Sequence, residues 1–302
     1  MTGPVDVVPS VLAETGGWPV DTVAAAVVRR AADGSTSVAT TGGRHRVFAL
    51  ASVSKLVTAY AVLIAVSEGC FTLDDTVGGV AAAGGRPVDG PQDATVRDLL
   101  AHASGVGFRD RTREKDAHVR RIYSSAGFEI LADLVTVSVS EVGLDFAGYV
   151  DAAVRSPLGI PSAELVIGGS AGHGFRGSVG ALTRLAVEFL SPTLLPEDLW
   201  DEALRPQFPD LDGVVPGYGR QRPCPWGLGV ELHGHKSPHW LPPEMPGDVA
   251  GHFGQSGTFL WFHRATGTAA VVLTDRAFGD WARRRWDGFN SDLWAALQAP
   301  VV

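Results

Sequence analysis

Two short runs near the start alternate in the manner of strands. Residues 22–29 (TVAAAVVR) and 36–41 (TSVATT) are rich in β-branched and small residues, and Asp33-Gly34 between them supplies the turn of a hairpin. From about residue 52 to 68 the pattern changes. Leu56, Val57, Ala59, Tyr60, Val62, Leu63, Ile64 and Val66 leave almost no polar face, which predicts a helix buried on all sides, with Gly69 placed to end it. Residues 76 to 210 read mostly as helices broken by Gly/Pro loops, clearest at 95–103, 128–139 and 179–190. Strand patterns return at 226–233, 258–263 and 268–274. A last helical pattern at 280–298 carries Trp281, Trp286, Phe289, Leu293, Trp294 and Leu297. Strands at both ends with helices between them predict a mixed α/β (α+β) chain. Its sheet is assembled from the two termini, and a mostly helical lobe is inserted. The boundaries are a single domain over 1–302, with a sheet lobe of about 1–75 plus 215–302 and a helical lobe of 76–214.

Composition narrows the functional classes. A chain of 302 residues, 45% hydrophobic and 19% charged, can bury a sizeable core. The net charge of −8 and the lack of a long basic run argue against nucleic acid or an anionic membrane as partner. The start, MTGPVDVVPSVLAE, has neither a basic n-region nor an uninterrupted apolar core, so no secretory signal is expected. The longest apolar run, 56–66, is too short to cross ~30 Å of hydrocarbon. Together these predict a cytoplasmic protein. Cys70 and Cys224, the two cysteines, stand far apart and read as free thiols rather than a disulfide or metal site.

The candidate chemistry begins at residues 51–55, ASVSK. On a helix, positions i and i+3 share a face, so Ser52 and Lys55 present a hydroxyl and an amine to one place. Burial and the positive end of the helix dipole both press the lysine toward neutrality. A neutral amine beside a serine can take the hydroxyl proton and so activate a weak nucleophile. An isolated Ser-x-x-Lys more often marks a capping serine and a lysine that snorkels to water. The rest of the sequence decides.

Four stretches occur in order: LASVSKLVTAYAVLIAVSEG, TVRDLLAHASGV (95–106), IYSSAGFEIL (122–131) and GHFGQSGT (251–258). Over about 47–275 this arrangement resembles the serine β-lactamase and penicillin-binding-protein superfamily, in the branch of class C enzymes, D,D-carboxypeptidases and related esterases. The resemblance implies a β-lactamase-like fold with an antiparallel sheet flanked by helices. It implies Ser52 as the acyl-accepting nucleophile and Lys55 as its proton partner. Tyr123 matches the tyrosine of the Tyr-x-Asn motif, with its phenol partly ionised by Lys55 and passing a proton to the leaving group; either Lys55 or Tyr123 is the base. His252-Phe253-Gly254 aligns with Lys-Thr-Gly. Gly254 would let the strand backbone come close to substrate, and the backbone N–H groups of Ser52 and Gln255 would form the oxyanion hole. His102 and Ser104 match a segment that shapes the helical lobe and read as structural.

Two positions depart from the family pattern. Ser125 stands where the family has an asparagine that contacts amide-bearing acyl groups, and it offers one hydroxyl in place of an amide. His252 replaces a lysine and so removes a fixed cation that would meet a substrate carboxylate. Both favour an ester or other small acyl substrate over a β-lactam. Three further stretches carry weaker signals. GHGFRG (172–177) spells a dinucleotide fingerprint but lacks the following strand, and is rejected. HGHKSPH (233–239) reads as a polar surface loop rather than zinc ligands. GYGRQRPCPWG (217–227) is either a structural loop or the cleft mouth, with Tyr218, Arg220 or Arg222 reaching substrate. The reading is a serine hydrolase acting through a covalent acyl-enzyme on a small-molecule ester or amide, esterase-like, with no metal or cofactor. The alternatives are a β-lactamase or D,D-peptidase, a transacylase, and a sensor that binds without turnover.

Overall fold

The computed structural model describes residues 7–299; the ends of the expected 1–302 domain, including the first six residues of MTGPVDVVPSVLAE, lie outside the described residues. Six strands form an antiparallel sheet in the order Thr36–Thr41, Val23–Arg30, Thr268–Thr274, Thr258–His263, Ala250–Gly254, Glu231–Leu232. The expected hairpin forms, with Val28 opposite Val38. Its inner strand pairs with the C-terminal segment, Val27 opposite Ala270, so the two ends of the chain do build one sheet.

Both faces of that sheet are covered. Ala24, Ala26 and Val28 point to one core with Val271 and Leu273, whereas Ala25 and Val27 join Val272 in the other. This is the two-residue period of a strand, used twice. On the first face lies the helix Val179–Leu190, and beyond it the helix Ser54–Ser67, of which Ser54 to Ala65 are all buried. On the second lies the helix Asp280–Gln298. Its Trp286 meets Phe259 edge-on at 5.1 Å, and its Asn290 accepts the Trp261 indole N–H at 2.9 Å. Between Val77 and Ala203 the chain is mainly helical. Among the described residues no helix is long and apolar enough to cross a membrane.

Two local expectations fail for identifiable reasons. The pattern at 226–233 yields only the two-residue strand Glu231–Leu232. Gly229 there takes a φ of 80° with its Cα against Ala59, and the Leu228 N–H bonds to the Ala203 carbonyl instead of a sheet partner. The buried helix begins at Ser54, after a 3₁₀ turn over Ala51–Val53. Ala51 enters that turn with a φ of 45°, a conformation unusual for a residue with a Cβ. The segment from Ala49 to Ala51 is pinned from the sheet side: Ser256 Oγ donates to the Ala49 carbonyl at 2.7 Å and Thr258 Oγ1 to that of Leu50 at 3.0 Å. Strain held by surrounding bonds is a common mark of a functional position.

Candidate active site

Ser52 sits in that strained turn and lines a cavity of about 280 Å³ with Tyr123, His252 and Gln255. Phe108, Trp226 and Phe253 supply aromatic walls. Tyr123 and Ser125 come from the segment that leads into the helix Ala126–Ser138. Ser124 fixes that segment: its N–H donates to His102 Nδ1 at 3.1 Å and its hydroxyl to the Gly107 carbonyl at 2.7 Å. His102 packs on the Tyr123 ring at 4.8 Å, so the structural reading of that histidine holds in the geometry. His252 and Gly254 lie on the strand Ala250–Gly254. A Cβ on Gly254 would stand 2.3 Å from the Leu50 carbonyl oxygen and 3.2 Å from the Ala51 Cβ. The close approach that Gly254 permits is therefore to the turn that carries Ser52.

Lys55 is fully buried. Its Nζ donates to Ser125 Oγ at 3.0 Å and to the Gly172 carbonyl at 2.7 Å, and lies 4.6 Å from the centre of the Tyr123 ring. Burial lowers its pKa to about 7, partly opposed by the Glu129 carboxylate. Ser125 thus serves the lysine, and it is not among the residues that line the cavity. The carbonyl of Gly172 comes from the GHGFRG stretch. Glycine there lets the loop press onto Ser125, whose Cβ would be 3.0 Å from a Cβ at 172.

The protonation states differ from the expected, partly ionised phenol. Burial pushes the Tyr123 pKa up; the hydrogen bond from Ser52 opposes this and the Glu231 charge reinforces it. Lys55 lies over the ring face rather than at the hydroxyl, so Tyr123 remains a neutral phenol. His252 is buried, and its Nδ1 lies 2.6 Å from the Phe253 carbonyl oxygen, which only an N–H can satisfy. Burial and the nearby Lys55 depress its pKa to about 4, against the pull of Glu231. The ring is neutral, and Nε2 is left as an acceptor 3.3 Å from the Tyr123 hydroxyl. The hydrogen bonds consequently run one way. Tyr123 donates to His252 and His252 to the Phe253 carbonyl, with Ser52 lining the same cavity as the phenol.

Sequence reasoning missed the group behind this chain. Glu231 lines the cavity and is itself buried, accepting from Lys236 at 3.0 Å, His239 at 2.9 Å and the Trp240 indole at 2.9 Å. Burial pushes its pKa up, but Lys236 and His239 overcome that and hold it well below the usual carboxylate range. HGHKSPH is therefore not a surface loop: His233, Lys236 and His239 are buried and only His235 among its basic residues is exposed. Their partner was a single glutamate, a signal too common to single out. In the 217–227 stretch, Trp226 reaches the cavity, Arg220 and Arg222 pair with Asp212 at 3.0 and 3.3 Å, and Tyr218 packs against Phe253 outside the cavity. Cys70 and Cys224 are free thiols. Among the described residues no cluster of three or more His, Cys, Asp or Glu is placed to hold a metal ion.

A family model described as Beta-lactamase matches residues 20–291. The chain is 39% identical to a beta-lactamase from Mycobacterium bovis, whose crystal structure superposes with a TM-score of 0.85 over 96% of this chain and 100% of that one. Unliganded simvastatin synthase from Aspergillus terreus, 16% identical, shares the fold with a TM-score of 0.72 over 99% of this chain and 100% of its own. No match was found among curated proteins.

Proposed function

The chain belongs to the beta-lactamase family of serine hydrolases, and we propose that within it the protein cleaves small, uncharged esters through a covalent acyl-Ser52 intermediate. One observation carries this reading: Ser52 shares with the hydrogen-bonded pair Tyr123–His252 an aromatic cavity that no lysine or arginine lines. Ser52 attacks the ester carbonyl carbon while its proton moves to the Tyr123 oxygen and the Tyr123 proton to His252 Nε2. Collapse of the tetrahedral intermediate breaks the bond to the alcohol oxygen, which takes a proton from Tyr123 as His252 returns one to the phenol. Water then repeats the sequence on the acyl-enzyme. A neutral Lys55 has its two N–H donors engaged by Ser125 and Gly172, which leaves its lone pair as a second acceptor for the same proton. Backbone N–H groups of Ser52 and Gln255, both at the cavity, are the proposed oxyanion donors.

The reading is tested with p-nitrophenyl acetate. A burst of p-nitrophenol and the mass of one acetyl group on the peptide carrying Ser52 are expected from the wild type, and neither from Ser52→Ala. A wild type that is never acylated refutes it. A second reading, β-lactam hydrolysis, is favoured by the 39% identity to a chain described as a beta-lactamase. Against it stand a neutral His252 and a Ser125 committed to Lys55. Slow nitrocefin turnover beside brisk ester cleavage is the expected result, and the reverse order supports the second reading.

A further inference from the structure

Beside the catalytic cavity lies a wider one of about 760 Å³. Phe108, Tyr123 and Pro216 line both, so the two meet at the phenol ring. Ser52, His252 and Gln255 belong to the inner cavity only, and Val119 and Val214 to the outer only. Phe108, Val119 and Val214 are 44%, 61% and 53% exposed, a rare condition for large apolar side chains here, and all three border this one groove. Scattered apolar exposure is ordinary, whereas a cluster at a cleft mouth marks a binding surface. Of the six charged residues that line the groove, Glu114, Arg120 and Asp210 are exposed to water, and the other three are committed within the protein. Arg220 pairs with Asp212, and the buried Arg121 guanidinium is spent on the carbonyls of Ala101, Gln207, Phe208 and Cys224.

The reaction chemistry decides what lies there. This step rests on the serine-hydrolase reading above. The acyl carbon must meet Ser52 inside the small cavity, and the departing oxygen must reach the Tyr123 hydroxyl to receive its proton. The rest of the alcohol then leaves past the Tyr123 ring, into the wider groove. We infer that the outer groove binds the alcohol half of the ester, and that this alcohol is bulky, uncharged and largely hydrocarbon. The substrate class is a short acyl group on a large apolar alcohol, released as the free alcohol when the acyl–oxygen bond breaks and Tyr123 gives up its proton.

Ethyl acetate and 2-(2-naphthyl)ethyl acetate have alkoxide leaving groups of similar basicity, so they differ mainly in what the groove can hold. The wild type is expected to prefer the naphthylethyl ester by about tenfold or more in kcat/KM, a margin set by burial of the added rings. Val119→Asp and Val214→Asp, both at exposed positions that leave the fold intact, should each cut that preference by about tenfold, chiefly through KM. Thermal melts matching the wild type exclude misfolding as the cause. Equal kcat/KM for the two esters while Ser52 is acylated normally overturns the inference alone, as does a preference that neither valine variant changes. Absence of acylation by both esters overturns the hydrolase reading and the inference with it. Concentration-dependent dimers that lose the naphthylethyl preference on association would show the groove to be a self-association face, and would also overturn it.

Discussion

Replacing Lys55 by methionine tests the depressed lysine without relying on any substrate. In the unfolded chain the amine titrates near 10.5, and in the folded protein near 7. At ~1.36 kcal/mol per unit, the displacement means that a charged Lys55 costs the folded state about 5 kcal/mol relative to an unburied one. Below pH 7 both states hold the proton and the whole cost applies. Between pH 7 and 10.5 the unfolded chain keeps a proton that the folded chain has released, so the unfolding free energy rises with pH. Above 10.5 the cost is gone. Working the other way, Ser125 Oγ and the Gly172 carbonyl accept from Lys55 at 3.0 and 2.7 Å. Methionine leaves each without that donor, a loss of about 1–3 kcal/mol apiece. At pH 7 the two effects roughly offset, and Lys55→Met should be inactive yet within a few kcal/mol of the wild type. The pH dependence does not offset. From pH 7 to pH 10 the wild type should gain on the variant by about 4 kcal/mol. Urea unfolding of both proteins at pH 7, 8, 9 and 10 measures this, because tyrosine and cysteine titrations common to both chains drop out of the difference. A difference that stays flat across that range refutes the depressed pKa, and with it the neutral amine at the site.

His252→Lys places a group with donors only where Tyr123 needs an acceptor; kcat/KM for p-nitrophenyl acetate should fall by about 100-fold, while turnover of nitrocefin, which carries a carboxylate, rises relative to it. An unchanged ratio of the two activities counts against the assignment. Gly254→Ala drives a Cβ to 2.3 Å from the Leu50 carbonyl oxygen and 2.5 Å from Thr258 Oγ1. Both stability, by about 1–3 kcal/mol, and kcat should drop, and a variant with wild-type kcat would show that the turn at Ser52 tolerates displacement. Tyr60→Phe removes a 2.6 Å hydrogen bond to Glu188, whose carboxylate also accepts from the N–H groups of Thr193 and Leu194. Urea unfolding should report a loss of about 1.5–3 kcal/mol, with ester hydrolysis as in the wild type.

The sheet was legible because its strands obey a simple period, even where both faces are buried: Ala24, Ala26 and Val28 serve one core and Ala25 and Val27 the other. The helix Ser54–Ser67 was legible from its unbroken apolar composition. What the pattern could not yield was the two-residue displacement of its start, because that depends on Thr258 and Ser256, some two hundred positions away, holding the Ala49–Leu50 backbone. Tyr123 and His252 carry no periodic signal and were found only through motif resemblance. Their protonation is a property of burial and of neighbours distant in sequence, so burial raises the Tyr123 pKa where partial ionisation was expected. HGHKSPH misled for a related reason. Polar residues in a Gly/Pro-rich stretch usually face water, but a buried Glu231 gives Lys236 and His239 a reason to turn inward.

The buried glutamate also explains how the site remains uncharged. A lone carboxylate at the cavity would pull His252 toward the protonated form, since Glu231 acts on that ring in this direction. Lys236 at 3.0 Å and the Trp240 indole at 2.9 Å take up most of that field locally. Lys55, on the opposite side, presses His252 toward neutrality. Around pH 8 the phenol and the imidazole are neutral and the amine of Lys55 is largely so, while the one carboxylate is balanced by its own ammonium. In such surroundings the first unbalanced charge to arise in the proposed reaction is its own oxyanion, and a proton delivered to His252 would answer it across Tyr123. A substrate that arrives already bearing a carboxylate meets no prepared counter-ion and must be desolvated at full cost. The proposed preference for neutral acyl groups therefore rests on the same burial that lowers the Lys55 pKa.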